Sequence, residues 1–216
     1  MTEGVIQYHL DFSPQALADG FLLDELNACR ARLFAQGLIG QDDQRYAGLG
    51  YGNVSQRVVL PGKPDAFLIT GSQTGHLPVL DRQHYALVTA CDPAQNQLQA
   101  IGETLPSSEA MTHAVIYQTL PQVHAVIHVH SPNLWQNAQQ QGLPVTPKTV
   151  AYGTPEMAAA VRHILLDNSA MQVGLLAMLG HEDGIVAWGT TLADAEGRLM
   201  QLINTTQFQK DTSWFI

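Results

Sequence analysis

The sequence predicts an α/β fold in which a mixed, largely antiparallel sheet is covered by helices. Segments with strand-like and helix-like periodicity alternate along the chain. Several neighbouring strand segments are joined by turns that allow antiparallel pairing and are too short for the crossover that parallel strands need. Hydrophobic residues make up 45% of the chain and charged residues only 13%, which is typical of a globular protein with a substantial core. We find no internal repeat or linker and therefore expect one domain, 1–216.

The first half of the chain contains one long helical pattern followed by a glycine-rich region. From about Ala18 to Gln36, apolar residues recur at helical spacing, and Gly37 is a suitable stop. The stretch 48–60, GLGYGNVSQRVVL, is predicted to be a loop that enters a strand. Phe67–Thr70 is predicted to be a short strand that opens into the loop GSQTG.

The second half contains two clear helix starts and several strand segments. Pro106-Ser107-Ser108-Glu109 is predicted to open a helix, with hydroxyls at the cap and a carboxylate in the first turn. Thr154-Pro155 has the cap-then-proline signature of another helix. The remaining predicted elements are a hairpin over 85–102 that turns at Asp92–Pro93, strands over Val123–His130, Val173–Leu179 and Ile185–Trp188, a turn over His181–Gly184, and a final helix from near Thr191.

The composition argues against several classes of partner. A formal net charge of -9 is unsuited to nucleic acid, because phosphate backbones demand clustered Lys and Arg. No apolar run is long enough to cross a bilayer, and the N-terminal stretch MTEGVIQYHLDF lacks the features of a secretion signal. The two cysteines, Cys29 and Cys91, suggest no disulfide framework. We therefore expect a cytoplasmic protein with no nucleic-acid or membrane partner.

Two histidines in the stretch AVIHVHSP give the strongest local signal for a metal site. On a strand, residues two apart point to the same face, so His128 and His130 project together. Two imidazoles on a rigid strand form half of a tetrahedral metal site, although two histidines that only form hydrogen bonds give the same pattern. A third histidine in a glycine-flanked turn, His181, and Glu109 at a helix start favour the metal. We therefore predict a metal site built from these four side chains.

The predicted ligand set, three neutral imidazoles and one carboxylate, leaves a divalent ion with a net positive charge. Such a charge polarises a carbonyl or stabilises an enediolate. Glu109 is the most dispensable ligand, and we expect it to leave the metal when substrate binds and then to move a proton. The ligand types do not select sharply among zinc, manganese and cobalt. His113, four residues after Glu109, is either a structural residue or a partner that orients Glu109.

Three segments of small residues are candidates for binding an anion. They are the stretches 52–55 (GNVS) and 71–75 (GSQTG) and the pair Ser107-Ser108. Backbone N–H groups in glycine loops, hydroxyls and a helix N-terminus bind anions without a cationic side chain. Each segment alone is a weak signal, since glycine and serine usually only turn the chain. Together with a metal site they predict a pocket for a phosphate group.

Five motifs together resemble the class II aldolase/adducin family. They are GNVSQR, ITGSQTG, PSSE with a histidine four residues later, HVHSP and GHEDGIVAWG. The resemblance runs from about residue 20 to 208, and Glu109 precedes the H-x-H pair by the spacing that the family uses. It implies a three-layer α/β/α fold, in which a central mixed, mainly antiparallel sheet is flanked by helices. It also implies a cyclic homotetramer with active sites near the subunit interfaces.

The resemblance implies roles for individual residues as well. Zinc is expected on His128, His130 and His181, and Glu109 is expected to be both a metal ligand and the catalytic acid/base. The positions that bind phosphate in the family correspond here to Gly52, Asn53, Thr74, Gly75, Ser107 and Ser108.

Four departures from the family pattern concern mainly the substrate side of the site. The TGSQTG loop is longer than in the family's aldolase, so that Ser72 is an alternative to Thr74 and Gly75. The connection from HVHSP to the third histidine is shorter. The aldolase's tyrosine proton donor has no clear counterpart, because Tyr152 is near in the chain but aligns poorly. The third histidine lies in GHEDG, whereas His-His-Gly or Asn-His-Gly is common in the family.

The predicted function is that of a metal-dependent lyase. It would cleave or form a C–C bond of a small sugar or sugar phosphate through a metal-stabilised enediolate. A dehydratase of the methylthioribulose-1-phosphate type, an epimerase and a decarboxylase of the same superfamily are alternatives, although the epimerase has Asp where this chain has Glu109. Adducin head domains share the fold without the ligand set, so a non-enzymatic scaffold is a further alternative.

Overall fold

An eight-stranded sheet forms the centre of the protein. The computed structural model describes residues 5–167 and 172–212, with the backbone alone for 208–212. The strands are β1 (His9–Pro14), β2 (Gly40–Gln41), β3 (Gly50–Tyr51), β4 (Asn53–Arg57), β5 (Phe67–Thr70), β6 (Tyr85–Asp92), β7 (Gln97–Gly102), β8 (Ala125–His130), β9 (Leu175–Ala177) and β10 (Gly184–Gly189). The order in the sheet is β1-β7-β6-β5-β4-β8-β10-β9, and β2 pairs with β3 in a separate hairpin.

The pairing directions confirm the predicted mixed, mainly antiparallel sheet. Strand β1 runs parallel to β7 at one edge, and all other pairs in the sheet are antiparallel. Short connections explain this arrangement, because four residues between β6 and β7 can only turn the chain back on itself.

Helices cover both faces of the sheet, as the three-layer prediction requires. They are α1 (Asp24–Ala35), α2 (Ala110–Thr119), α3 (Pro132–Asn137), α4 (Pro155–Leu165) and α5 (Leu192–Thr212). Helices α2 and α4 pack against each other and share one hydrophobic core with the sheet. Helices α1, α3 and α5 share a second core on the opposite face. No helix in the described ranges has the length and apolar character that a membrane span needs.

Strand β8 shows how the two cores divide the side chains of one strand. Val126 belongs to the core beneath α2 and α4, whereas Ile127 and Val129 belong to the opposite core. Because side chains alternate along a strand, His128 and His130 share the face of Val126. The histidine pair therefore lies on the side of the sheet that α2 and α4 cover.

Helix α1 begins later than predicted, at Asp24 and not at Ala18. The carbonyl oxygens of Ala18 and Asp19 accept hydrogen bonds from the Arg82 guanidinium, at 2.6 and 3.2 Å. These carbonyls are therefore satisfied outside a helix. Leu22, which fits the helical pattern, is 84% exposed and contributes little to the core.

The start of α2 also differs from the prediction. The helix begins at Ala110, and Glu109 occupies the N-cap position without a capping hydrogen bond from its side chain. Ser107 Oγ accepts a hydrogen bond from the Glu109 amide at 3.3 Å, so the predicted serine supports the turn before the helix. The Glu109 carboxylate contacts the first turn of α2 through the Thr112 hydroxyl and faces His181 with its other oxygen.

Several other predicted elements are confirmed. The strand Phe67–Thr70 has the predicted bounds, and Thr154 caps α4 by accepting a hydrogen bond from the Met157 amide at 3.2 Å. The strand predicted over Val173–Leu179 is shorter, spanning Leu175–Ala177. Strands β1, β2 and β3 and helix α3 were not predicted. Both cysteines are free thiols. Residues 1–4, 168–171 and 213–216 of the predicted domain lie outside the described residues.

Candidate functional site

The histidine pair lies on β8, a central strand whose six residues are all buried. His128 is 0% and His130 is 1% exposed. Strands β4 and β10 pair with β8 on its two sides and fix its backbone. The Nε2 atoms of the two imidazoles lie 3.1 Å apart.

The third histidine, His181, lies in the turn between β9 and β10. Hydrogen bonds from the His181 amide to the Met178 carbonyl (2.9 Å) and from the Gly184 amide to the His181 carbonyl (3.0 Å) close this turn. A Cβ atom at position 184 would lie 3.2 Å from His181 Nδ1 and 3.3 Å from His128 Cε1. Glycine at position 184 therefore leaves the space that the two imidazoles occupy.

The three imidazoles form a cluster suited to a metal ion. One nitrogen from each of His128, His130 and His181 lies within 4.8 Å of the others. His128 Nδ1 donates a hydrogen bond to the Ile185 carbonyl at 3.2 Å, which leaves its Nε2 as a lone-pair donor. In a tetrahedral zinc site two ligand nitrogens lie about 3.3 Å apart, so the 3.1 Å between the Nε2 atoms fits two ligands of one ion.

The electrostatic environment keeps two of the imidazoles neutral. Burial lowers the pKa of His128 well below its ordinary value, and the nearby His181 and His113 lower it further. Burial also lowers the pKa of His130, with further contributions from His181, His128 and Arg45. A neutral imidazole is the form that binds a metal ion, so both side chains are ready to act as ligands at neutral pH.

Glu109 lies beside the imidazole cluster. Its carboxylate is 1% exposed, and Oε2 accepts a hydrogen bond from the Thr112 hydroxyl at 3.0 Å. Oε1 lies 3.6 Å from His181 Nδ1. The cluster within 4.8 Å contains the three histidines without Glu109. The structure thus brings all four predicted ligands together and places the carboxylate at the margin of the group.

His113 belongs to a buried polar chain behind the metal centre. Its Nδ1 lies 2.7 Å from Ser55 Oγ, which in turn lies 2.8 Å from the Tyr117 hydroxyl. His113 Nε2 has no hydrogen-bond partner among the described residues, so this nitrogen forms no hydrogen bond with the Glu109 carboxylate. Burial lowers the pKa of His113 to about 3. These contacts favour the interpretation of His113 as a structural residue over its interpretation as a partner that orients Glu109.

The predicted anion-binding residues meet in one small cavity next to the histidines. Its walls come from the turn before β4, the loop after β5 and the turn before α2. Ser72, the alternative to Thr74, lines the same cavity. The lining residues are Gly50, Gly52, Asn53, Gly71, Ser72, Gln73, Thr74, Gly75, Ser107 and Ser108.

Close backbone packing shapes this cavity, which we call the cradle. A Cβ atom at Gly75 would collide with the Gly40 carbonyl oxygen and would lie 2.8 Å from the Gly50 Cα. The Thr74 hydroxyl donates to the Gly71 carbonyl at 2.9 Å, which holds the loop in its curved form. Position 75 therefore accepts only glycine without a shift of the backbone.

A buried arginine lies behind the cradle. Arg30 on α1 is 2% exposed, and its Nη2 donates to the Thr74 carbonyl at 2.9 Å. Its Nη1 donates to the Pro78 carbonyl at 3.4 Å. No carboxylate of the described residues forms an ion pair with Arg30. Its positive charge therefore acts on the cradle loop without a fixed counter-ion, a feature that the sequence reasoning missed.

Aromatic rings surround the histidines, and the sequence reasoning missed most of them. Tyr46 and Tyr51 pack against His130, with ring centroids 4.6 and 5.4 Å from that of the imidazole. The Tyr152 ring stacks on the His181 imidazole with centroids 4.6 Å apart, although Tyr152 aligns poorly with the family motifs. Tyr46 lies in the segment between β2 and β3, where no residue pattern indicates contact with a distant strand.

A model of the family described as "Class II Aldolase and Adducin N-terminal domain" matches residues 40–209 of the chain. The l-fuculose-1-phosphate aldolase from Thermus thermophilus has a similar structure, with a TM-score of 0.65 and 21% identity over 88% of this chain and 93% of that chain. A sugar-phosphate aldolase from Thermotoga maritima gives a TM-score of 0.63 and 16% identity over 88% of this chain and 94% of that chain.

A third similar structure is YgbL from Klebsiella pneumoniae, a candidate aldolase, epimerase or decarboxylase. Its TM-score is 0.63, with 23% identity over 87% of both chains. At these identities the solved structures establish the shared fold. No curated protein matches the chain significantly.

Proposed function

Because the chain belongs to the class II aldolase and adducin family, we propose that it is a metal-dependent lyase that makes or breaks a C–C bond of a small sugar phosphate through an enediolate. One observation carries the proposal. Three buried imidazoles and a buried carboxylate lie next to a cradle of backbone amides and hydroxyls. This juxtaposition suits a substrate that has a carbonyl and hydroxyl at one end and an anionic group at the other.

Zinc is the proposed metal, with manganese or cobalt as alternatives, because imidazole and carboxylate ligands accept all three. His128, His130 and His181 would hold the ion, and Glu109 would be the fourth ligand before substrate binds. The bound ion would supply a positive charge that stabilises the oxyanion of the reacting substrate. The buried position of all four side chains supports this role, because charge stabilisation is stronger where water is excluded.

Glu109 is the proposed acid/base of the reaction. Its position at the margin of the imidazole cluster, 3.6 Å from His181 Nδ1, allows the carboxylate to turn toward a substrate carbon. The hydrogen bond from Thr112 to Oε2 limits the rotation of the carboxylate and leaves Oε1 as the oxygen that faces the histidines. We assign to Oε1 the transfer of the proton on the carbon next to the carbonyl.

The cradle is the proposed phosphate subsite. Asn53, Thr74, Ser107 and Ser108 would contribute polar side chains, and Gly52 and Gly75 would allow close approach of the backbone. Arg30 supports the assignment, since it adds a buried positive charge behind the loop. We further propose that the enzyme acts in the cytoplasm as a homotetramer, the assembly that the family resemblance implies.

The direct test is hydrogen exchange of dihydroxyacetone phosphate in heavy water. The metal-loaded protein is incubated with this compound, and the hydroxymethylene protons are followed by NMR. An aldolase of the proposed kind exchanges one proton stereospecifically without its aldehyde partner, because formation of the enediolate precedes C–C bond formation. Protein stripped of metal by a chelator is the matched control and should show no exchange.

Other outcomes point to other activities of the same site. Absence of exchange with metal present would contradict a dihydroxyacetone-phosphate aldolase. Release of water or carbon dioxide from other sugar phosphates would then indicate a dehydratase or a decarboxylase, and inversion of a carbinol carbon would indicate an epimerase. A chain that holds no metal would instead fit a non-enzymatic scaffold.

A further inference from the structure

A hydrogen bond connects the β2–β3 hairpin to the turn that carries the third histidine. The Tyr46 hydroxyl donates to Asp183 Oδ2 at 2.6 Å, across 137 residues of sequence. Tyr46 lies between β2 and β3, and Asp183 lies two residues after His181. This hydrogen bond therefore anchors the β2–β3 hairpin to the turn of His181 in the proposed metal centre.

Tyr46 also contacts the centre directly through its ring. The edge of the ring meets the His130 imidazole, with centroids 4.6 Å apart and an interplanar angle of 74°. Thus one side chain packs on His130 and bonds to the turn of His181. A change in its position would affect both proposed ligands.

Arg45 stabilises the hydrogen bond between Tyr46 and Asp183. Its guanidinium lies over the rings of Tyr46 and Tyr51, 4.8 Å from each centroid. Nη2 donates to the Tyr46 hydroxyl at 2.5 Å and lies 3.7 Å from the Asp183 carboxylate. The oppositely charged Arg45 and Asp183 therefore hold the tyrosine hydroxyl between them.

The backbone at both ends of this hydrogen bond is strained. Tyr46 and Ala47 have φ angles of +51° and +57°, and Asp183 has +61°. Residues other than glycine occupy this left-handed region at a cost in free energy, and such residues cluster at functional sites. Two of the five non-glycine residues with positive φ in the described chain form this contact, and a third, Ala47, is adjacent to Tyr46.

We propose that Tyr46 is a positioning residue that closes the hairpin over the metal centre and slows the loss of the metal. The inference rests on the proposed function, because it assumes that the three histidines bind a metal. The Tyr46 ring limits the tilt of His130, and the bond to Asp183 anchors the turn of His181. Residues that orient metal ligands in this way typically change metal affinity by about 10- to 100-fold when they are removed.

The test measures binding of Co²⁺ and Zn²⁺ alone, by competition with a chromophoric chelator and from the visible spectrum of bound Co²⁺. The Tyr46→Phe variant keeps the ring on His130 and removes the hydroxyl. Asp183→Gly removes the acceptor and suits the positive φ of that position, so it should not strain the turn. We expect either variant to bind metal about tenfold more weakly and to release it faster.

Two matched controls separate this role from general stability. Tyr51 also packs on His130, but its hydroxyl does not contact Asp183. Tyr51→Phe should therefore change metal affinity less than about threefold, whereas Tyr46→Phe and Asp183→Gly should each change it about tenfold. Ala47→Gly relieves the backbone strain of the positive φ at this position (+57°) and leaves the hydrogen bond between Tyr46 and Asp183 in place. It should raise the melting temperature of the metal-free protein while leaving the metal affinity unchanged. The double variant of Tyr46→Phe and Asp183→Gly should bind metal no more weakly than the weaker single variant.

Wild-type metal affinity in both single variants would overturn the inference. Equal losses in Tyr51→Phe and Tyr46→Phe, or additive losses in the double variant, would do so as well. Should Tyr46→Phe fail to fold, Asp183→Gly and its Co²⁺ spectrum decide the question. If the wild-type protein itself binds no metal, the proposed function fails, and that result differs from one in which only the variants behave unexpectedly.

Discussion

Asn53 lies directly opposite His128 in the register of the antiparallel pair β4 and β8. Paired residues project from the same face of a sheet, so this one pair joins the cradle to the metal centre. Asn53 is 4% exposed, and its Oδ1 has no hydrogen-bond partner among the described residues. A buried polar atom without a partner is costly unless a ligand or water satisfies it. The pairing therefore places an available polar atom between the two parts of the proposed substrate site.

Replacing His130 by Ala should eliminate tight metal binding, because two imidazoles and a carboxylate at the margin cannot replace a central ligand. We expect metal affinity to fall by at least about 100-fold and activity to be lost, while the circular dichroism spectrum stays that of the wild type. Metal content after gel filtration is the measurement. His163→Ala, on the exposed side of α4, is the control and should remain fully loaded. An active, metal-loaded His130→Ala protein would contradict the proposed centre.

Replacing Glu109 by Gln separates metal binding from proton transfer. The side chain keeps its size, and the three imidazoles remain, so metal affinity should fall less than about tenfold. Loss of the base should lower the rate of proton exchange by about 10²- to 10⁴-fold. Metal affinity and NMR exchange are measured on the same preparation. Normal exchange in the variant would assign the proton transfer to another group.

The metal-free protein should lose stability as the pH falls below about 6.5. Burial lowers the pKa of His113 to about 3 and lowers that of His128 and His130 well below the ordinary value. The same side chains titrate near pH 6.5 in the unfolded chain, which therefore binds more protons than the folded chain below that pH. Well below pH 6.5, where the unfolded imidazoles are fully protonated, the loss approaches about 1.4 kcal/mol per pH unit for each of the three histidines.

Urea unfolding at pH 7.5, 6.5 and 5.5 measures this dependence. Between the two lower values the free energy of unfolding should decrease by about 3 kcal/mol, about 1 kcal/mol from each of His113, His128 and His130. The control is His163→Gln, which changes an exposed histidine, leaves the three buried ones in place, and should give the wild-type profile. A flat profile would mean that these imidazoles are already solvated in the metal-free protein.

Gly75→Ala should distort the cradle, because the added Cβ would collide with the Gly40 carbonyl oxygen and approach the Gly50 backbone. We expect a loss of stability of about 1–3 kcal/mol and weaker phosphate binding. The matched control is Gly197→Ala in α5, where nothing lies within 4 Å of the new Cβ. That substitution should raise stability by roughly 0.5–1 kcal/mol, since alanine favours a helix over glycine. Equal effects of the two substitutions would exclude close packing at position 75.

Local signals in the sequence predicted the elements that depend on neighbouring residues. The strand Phe67–Thr70 follows from a short run of β-formers and α4 from the Thr154-Pro155 start, and both are confirmed. The predicted start of α1 at Ala18 was wrong because Arg82, distant in sequence, binds the carbonyls of that segment. The histidine cluster could be anticipated because H-x-H defines one face of a strand and because His181 lies in a glycine-flanked turn.

Contacts between residues that are far apart in sequence and belong to no motif could not be predicted from local patterns. Tyr46 and Asp183 meet only because the β2–β3 hairpin folds back over the turn of His181. Arg30 fits the helical pattern of α1 as an ordinary polar residue, and its burial depends on where the loop after β5 packs. A pattern of residue types predicts which side chains lie on the same face of a helix or strand. Contacts such as those of Tyr46 and Arg30 depend instead on how distant elements pack in the folded chain.

Replacing Arg30 by Met should weaken anion binding in the cradle although Arg30 does not line the cavity. The guanidinium donates to the Thr74 carbonyl at 2.9 Å, so its charge lies close behind the loop, in a buried environment where screening by water is weak. We expect the affinity for inorganic phosphate, measured by calorimetry at fixed ionic strength, to fall about tenfold, equivalent to about 1.4 kcal/mol. Arg30→Lys keeps the charge and should lose less. If Lys and Met variants lose affinity equally, the hydrogen bonds to the loop matter and the charge does not; if neither loses affinity, the anion lies elsewhere than in the cradle.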